Sequence, residues 1–170
     1  MDADTGKTVF QKNQTERLQI ASMVKIMTLN LIFEEIESGN INYDTEVIAS
    51  QYSTSMGGSQ AFLDANNSYK ASELIKSIIV GSANDSCVAM AEHISGSVSA
   101  FVGRMNDKAE KLGMKNTYFV NCTGLPAPNQ YSCAEDVAIM TRELIKHKGF
   151  FDFSKIWMLS LIHISEPTRP

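Results

Sequence analysis

Ile20-Ala21-Ser22-Met23-Val24-Lys25-Ile26-Met27-Thr28 is the stretch on which the reading of this chain turns. It leads into Leu29, Leu31, Ile32 and Ile36, so the spacing predicts a helix from about Ser22 to Glu37. That helix is apolar almost all round and belongs in the middle of a domain. Residues three apart share a helix face, which brings the Ser22 hydroxyl towards the Lys25 amine. Serine is inert at its own pKa and needs a neighbouring base. A lysine becomes that base when burial and the positive end of a helix dipole favour its neutral form. On spacing alone a second reading stands beside this one: a serine N-cap followed by a lysine that snorkels to water.

Outward from this helix, Ser38-Gly39-Asn40 ends it, with Gly39 suited to a left-handed cap. Upstream, Asp4-Thr5-Gly6-Lys7 reads as a hairpin turn, with Thr8-Val9-Phe10 as the second strand. Residues 41 to 70 are loop-rich and include the paired glycines of Ser55-Met56-Gly57-Gly58-Ser59. A helix is expected over Ser72–Val80, broken by Gly81. Asp85 is expected to cap a further helix that runs through Ile94 and closes at Gly96. Phe101, Val102, Met105, Ala109 and Leu112 mark another, stopped by Gly113. Thr117–Val120 is a strand candidate, Pro126 and Pro128 make a loop, and Ala134–His147 is a last helix. The sum is an α+β pattern in which most of the sheet is unaccounted for.

Composition narrows the class. The chain has 170 residues, 44% hydrophobic, enough for one ordinary domain with a core. A net charge of −4, with scattered Lys and Arg, argues against a nucleic-acid partner. No apolar run is long enough to span a bilayer. Met1-Asp2-Ala3-Asp4 begins in polar sequence rather than a signal peptide, leaving either a cytoplasmic protein or a natural start that lies upstream. Cys87, Cys122 and Cys133 are an odd number without C-x-x-C spacing, which favours buried thiols over a metal centre. A Cys122–Cys133 disulfide stays open. His93 and His147 read as structural or exposed residues.

A second motif lies about sixty residues after the first: Ser82-Ala83-Asn84, in the turn between two apolar helices. A hydroxyl on that turn can relay a proton, and an amide can orient the lysine and bind a substrate amide. An ordinary helix end followed by an N-cap explains the same letters. Ser38-Gly39-Asn40 also reads S-x-N, but it lies at the far end of the first helix, roughly 20 Å from Ser22 at 1.5 Å per residue.

Together the S-x-x-K and S-x-N boxes resemble those of the serine penicillin-recognising enzymes. Residues 20–28 and Gly81-Ser82-Ala83-Asn84-Asp85-Ser86-Cys87-Val88-Ala89-Met90-Ala91-Glu92 resemble the low-molecular-mass D-alanyl-D-alanine carboxypeptidases in particular. Phe101–Asn106, Leu112–Thr117 and Thr123-Gly124-Leu125 are similar to that family's wording as well, so the resemblance covers residues 1 to 158. It implies the serine β-lactamase/transpeptidase-like fold, with the helix-rich part present. It implies that Ser22 is the acylated nucleophile, Lys25 the proton acceptor and Ser82 the second catalytic hydroxyl, with Asn84 positioning Lys25 and substrate. No cofactor is implied. The implied partners are a peptidoglycan stem peptide ending in D-Ala-D-Ala, and β-lactams as inhibitors. The implied location is the outer face of the bacterial cytoplasmic membrane, with membrane association through segments absent from this chain. A β-lactamase, or a non-catalytic penicillin- or cell-wall-binding module, is the alternative.

This chain departs from the family in four places. Met23 and Val24 stand where small polar residues are usual, and Pro126–Gln130 is only partly familiar. The third element, K-T-G, is missing from the sequence; Gly6-Lys7-Thr8 has its letters in another order. In the family, that strand holds the substrate carboxylate and borders half of the oxyanion hole. Losing one oxyanion donor alone costs about 10²–10³ in rate, so a C-terminally truncated, inactive fragment is expected. Leu159–Pro170 reads as translated sequencing-adapter sequence, outside the catalytic domain.

Overall fold

The computed structural model describes residues 1–156; the tail discussed above lies outside the described residues. One turn of 3-10 helix, Ala21–Met23, leads into α1, Val24–Glu37. Thus Ser22 sits on the tight turn before the α-helix and does not open it. The apolar run behaves as its composition requires: Val24, Lys25 and everything from Met27 to Phe33 are buried. Ser38 and a left-handed Gly39 (φ 74°) end the helix as expected.

The loop-rich region contains more order than its composition suggests. β1 (Glu46–Ile48) pairs antiparallel with β2 (Ser68–Lys70), Val47 opposite Tyr69. Those two residues point inward while their neighbours are exposed, the period-2 pattern of a half-buried ribbon. Between them lies a short helix, α2 (Gln51–Thr54), whose Ser53 N–H donates to Ser50 Oγ. Three-residue strands are too short for alternation to stand out in sequence.

Next come α3 (Ala71–Gly81), α4 (Asn84–Ser95), α5 (Val98–Lys111), α6 (Ala134–Leu144) and α7 (Phe150–Ser154). Two boundaries correct the sequence reading. Gly81 is the last residue of α3, and the reversal falls on Ser82, which is left-handed (φ 54°). Asp85 is in the first turn of α4 and does not cap it; Ala83 holds the cap position. Its carboxylate is drawn to a loop across the structure instead.

α1 packs against α4, α5 and α6, while α3 packs against α4 and α7. Asn84 to Ala91 are all buried, so α4 is as central as α1. Phe33 lies under α7, 6.2 Å from the Phe150 ring, 6.3 Å from Phe153 and stacked at 5.9 Å on His147. His147 is structural: its Nδ1 lies 2.8 Å from Glu37 Oε2. Truncating Phe33 leaves a cavity between three elements. Phe33→Ala is expected to lower unfolding stability by about 3–5 kcal/mol, read from the denaturation midpoint.

Two expected strands do not form. The turn at Asp4–Gly6 closes, Gly6 N–H donating to Asp2 O at 3.0 Å. Thr8–Phe10 then runs unpaired, with Val9 78% and Phe10 80% exposed. Thr117–Val120 reduces to a single bridge, Tyr118 to Tyr131, beside another from Leu18 to Ser132. A ladder needs a partner edge; among the described residues Thr8–Phe10 has none, and Thr117–Val120 meets its partner at Tyr131 alone. The fold is therefore a helix-rich α+β assembly with little sheet. All three cysteines are free and buried. No described helix is long and apolar enough to cross a membrane.

Candidate active site

Ser22 is exposed on its turn, whereas Lys25, three residues on, is 5% exposed. Lys25 Nζ lies 3.3 Å from Ser22 Oγ and donates to Thr123 O at 2.6 Å. Among the described residues no carboxylate lies within 4.0 Å of that amine. Burial without a counter-charge pushes the Lys25 pKa below its ordinary 10.5. Cys87 and Cys122 flank the amine, and their thiolates would oppose that shift. Burial holds both thiols protonated, with Cys122 pushed up to about 12, so neither is charged at neutral pH. With one N–H held by Thr123 O, the amine in its neutral form would turn a lone pair to the Ser22 hydroxyl.

The turn carrying Ser22 is shaped by a segment to which the sequence reading assigned no role. Ala21 adopts φ 44°, a conformation non-glycine residues rarely take. Gly124 (φ 85°) lies against it so closely that a Cβ there would sit 2.0 Å from Ala21 O and 3.0 Å from Ser22 N. Only glycine permits both the backbone angle and the contact. The Gly124 loop is itself held on α1, since Thr28 Oγ1 donates to Cys122 O at 2.7 Å. Asn121 Oδ1 accepts from the N–H groups of Thr123 (3.1 Å) and Gly124 (2.7 Å), and Asn121 Nδ2 donates to Leu125 O at 2.8 Å. Buried Gln130 accepts from the N–H groups of Val120 and Asn121. Asn121 and Gln130 on either side of Pro126 and Pro128 are an available signal for the loop, but its contacts with Lys25 and Thr28, more than ninety residues away in sequence, are not legible from spacing.

The second motif reaches the first through that same loop. Asn84 is buried; its N–H donates to Ser59 O and its Nδ2 to Gly57 O, both at 2.7 Å. A Cβ on Gly58 (φ 77°) would lie 2.9 Å from Asn84 Nδ2 and 3.6 Å from Leu125 Cδ2. Gly58 therefore lies against both Asn84 and Leu125, and Gly124 lies against the Ser22 turn. Asn84 makes no hydrogen bond to Lys25 among the described residues; Thr123 O takes that place. The Ser82 Oγ is buried and has no hydrogen-bond partner among the described residues. A buried hydroxyl left unpaired costs free energy, as happens at sites completed by substrate. Beside the Ser22 turn is a cavity of about 200 Å³ lined by Gln19, Ala21, Gly124, Leu125 and Gln130 among others.

An exposed hydroxyl against a buried amine of lowered pKa is the arrangement of an activated serine nucleophile. Residues 1–158 match the D-alanyl-D-alanine carboxypeptidase family, Peptidase_S11. The chain is 47% identical over 154 residues to D-alanyl-D-alanine carboxypeptidase DacF of Bacillus subtilis, an alignment covering 91% of this chain and 40% of that protein. It is 34% identical over 151 residues to DacC of Escherichia coli, covering 85% and 38% respectively. Among solved structures it is similar to the D-alanyl-D-alanine carboxypeptidase DacD from Francisella tularensis, with TM-score 0.88, 37% identity and coverage of 91% and 38%. Penicillin binding protein 6B from Escherichia coli aligns with TM-score 0.82, 35% identity and coverage of 86% and 48%. The chain thus spans about 40% of the length of the curated relatives it matches.

Proposed function

This chain belongs to the D-alanyl-D-alanine carboxypeptidase family, and from that premise we propose that it supplies the nucleophile-bearing part of an enzyme that removes the terminal D-alanine from peptidoglycan stem peptides. Ser22 Oγ attacks the carbonyl of the penultimate D-alanine as its proton passes to neutral Lys25. Ser82 relays that proton to the departing amine of the terminal D-alanine, which leaves as the Ser22 ester remains. Water then cleaves the ester and regenerates the hydroxyl. Asn84 presents its amide to the substrate backbone. β-Lactams acylate the same serine, their ring nitrogen standing in for the leaving amine.

The observation that carries this reading is the 3.3 Å approach of Lys25 Nζ to an exposed Ser22 Oγ, with the amine fixed from behind by Thr123 O. The K-T-G element that completes the family's site is not in this sequence. We therefore assign the activity to the longer enzyme, with residues 1–158 as its catalytic portion and 159–170 outside it. Its place is the outer face of the cytoplasmic membrane, where the stem peptides are.

In the enzyme extended to include K-T-G, fluorescent penicillin is expected to label Ser22 alone, as read by peptide mapping. Ser22→Ala is expected to abolish the label. Label on another residue rejects the assignment. Rapid turnover of the adduct favours a β-lactamase, and peptide binding without hydrolysis favours a binding module.

A further inference from the structure

We propose that Asp85 is a positioning residue for this site: its buried carboxylate shapes the 57–63 loop so that the loop, in turn, sets the orientation of the Asn84 amide. The proposal rests on the reading of Ser22 and Asn84 given above.

Asp85 is fully buried, with 0% exposure, and makes no ion pair among the described residues. Removing a carboxylate from water is costly unless its charge is met by hydrogen bonds. Here Ala61 N–H lies 3.0 Å from both oxygens, Leu63 N–H donates to Oδ2 at 3.2 Å, and Ser86 N–H donates to Oδ1 at 2.8 Å. The start of α4 adds the positive end of its helix dipole. The carboxylate therefore holds the far half of the loop at Ala61 and Leu63. Between them Phe62 is forced into the left-handed region (φ 58°) and stands 77% exposed. Such a backbone costs roughly 1–2 kcal/mol in a non-glycine residue, so the loop shape is imposed on it.

The near half of the same loop meets Asn84. Gly57 O accepts from Nδ2, Ser59 O accepts from the backbone N–H, and Gly58 lies against Nδ2. Gly57 O is the only described partner of the Asn84 side chain. With Nδ2 committed there, Oδ1 faces the other way as a free acceptor, suited to a substrate N–H. If the loop shifts, that constraint on the amide is lost. Adjacent residues on a helix point about 100° apart, so Asn84 and Asp85 grip one loop at two places from a single turn.

The test is a double-mutant cycle in the enzyme extended to include K-T-G, reading the rate of Ser22 acylation by penicillin alongside thermal melting. Asp85→Asn places an NH₂ donor against backbone N–H donors and is expected to slow acylation about 10²-fold, as small misplacements at active sites do. In an Asn84→Ala background the same change is expected to alter the rate by no more than about twofold. A merely structural role predicts the full loss in both backgrounds. Asp85→Ala, which removes the acceptor without adding a donor, is expected to follow the same pattern and stands in if Asp85→Asn fails to fold, while Gly58→Ala, which pushes on the amide without touching the carboxylate, is expected to couple to Asn84→Ala in the same way, as the loop-to-amide link requires. Unchanged acylation in Asp85→Asn, or full additivity with Asn84→Ala for whichever variant folds, overturns the proposal. A wild-type label that maps away from Ser22 overturns the functional reading instead, so the two failures are distinguishable.

Discussion

Replacing Gly124 with alanine is expected to slow acylation of Ser22 by about 10²-fold or more, the scale on which misplacement of a reacting group is felt. Two independent penalties act at this position. A Cβ would fall 2.0 Å from Ala21 O and 2.4 Å from its carbonyl carbon, both backbone atoms without a rotamer to yield. The φ of 85° adds roughly 1–2 kcal/mol for any side-chain-bearing residue. The turn at Ala21–Ser22 must shift, or the 121–125 loop must lift off α1. Either movement separates Lys25 Nζ from Thr123 O or from Ser22 Oγ. The measurement is the penicillin-labelling rate in the extended enzyme, with a melting curve for each variant. A folded Gly124→Ala protein that labels at the wild-type rate would show that the contact does not position the nucleophile.

Lys25→Met carries the second large effect. It keeps the apolar stem and removes the amine, so acylation is expected to fall about 10²–10⁴-fold, the usual share of a general base. Lys25→Arg is not expected to restore it, because a guanidinium stays protonated and has no lone pair to offer. The pH dependence gives an independent check. Burial lowers the Lys25 pKa, so the wild-type acylation rate is expected to rise with pH along a limb centred below 10.5, and that limb should be missing in Lys25→Met. Stability follows the same group. The unfolded chain holds this proton more tightly than the folded one, so folding stability gains with rising pH between the folded-state value and 10.5. Lys25→Met removes that slope. A rate limb that survives the substitution would assign the base elsewhere.

Much of this architecture was legible before any coordinates, for particular reasons. The apolar run after Lys25 could only be a buried helix, because it has no polar face to turn to water. Gly39, Gly96 and Gly113 punctuate helices at left-handed caps, a signal local to a few residues. The errors cluster where the deciding partner is remote. Asp85 looks like a cap by position, yet its oxygens are claimed by Ala61 and Leu63, more than twenty residues earlier. Thr8–Phe10 has strand character and no described strand beside it. The β1–β2 pair was hidden because Val47 and Tyr69 are single inward residues in three-residue strands.

The candidate site divides in the same way. Ser22 and Lys25 could be nominated because i, i+3 spacing makes them neighbours on one helical segment, and Ser82 and Asn84 because both lie on one turn; their roles came from the family resemblance, since spacing alone also fits an N-cap and a snorkelling lysine. The contribution of Thr123, Gly124, Asn121 and Gln130 was not readable. The Thr123 carbonyl and the missing Cβ of Gly124 act on residues about a hundred positions away, and no local periodicity encodes such a meeting; the Asn121 and Gln130 amides only shape the loop that carries them.

Sequence alone therefore determined which groups can react, since hydroxyl, amine and amide chemistry travels with residue type and short spacing. Only tertiary structure decided that the amine is buried, which carbonyl holds it, and how the 57–63 and 121–125 loops join the two motifs. Desolvation and close packing depend on what the rest of the chain places around a residue. That is why the lowered pKa of Lys25 and the need for glycine at 124 emerge only from the fold.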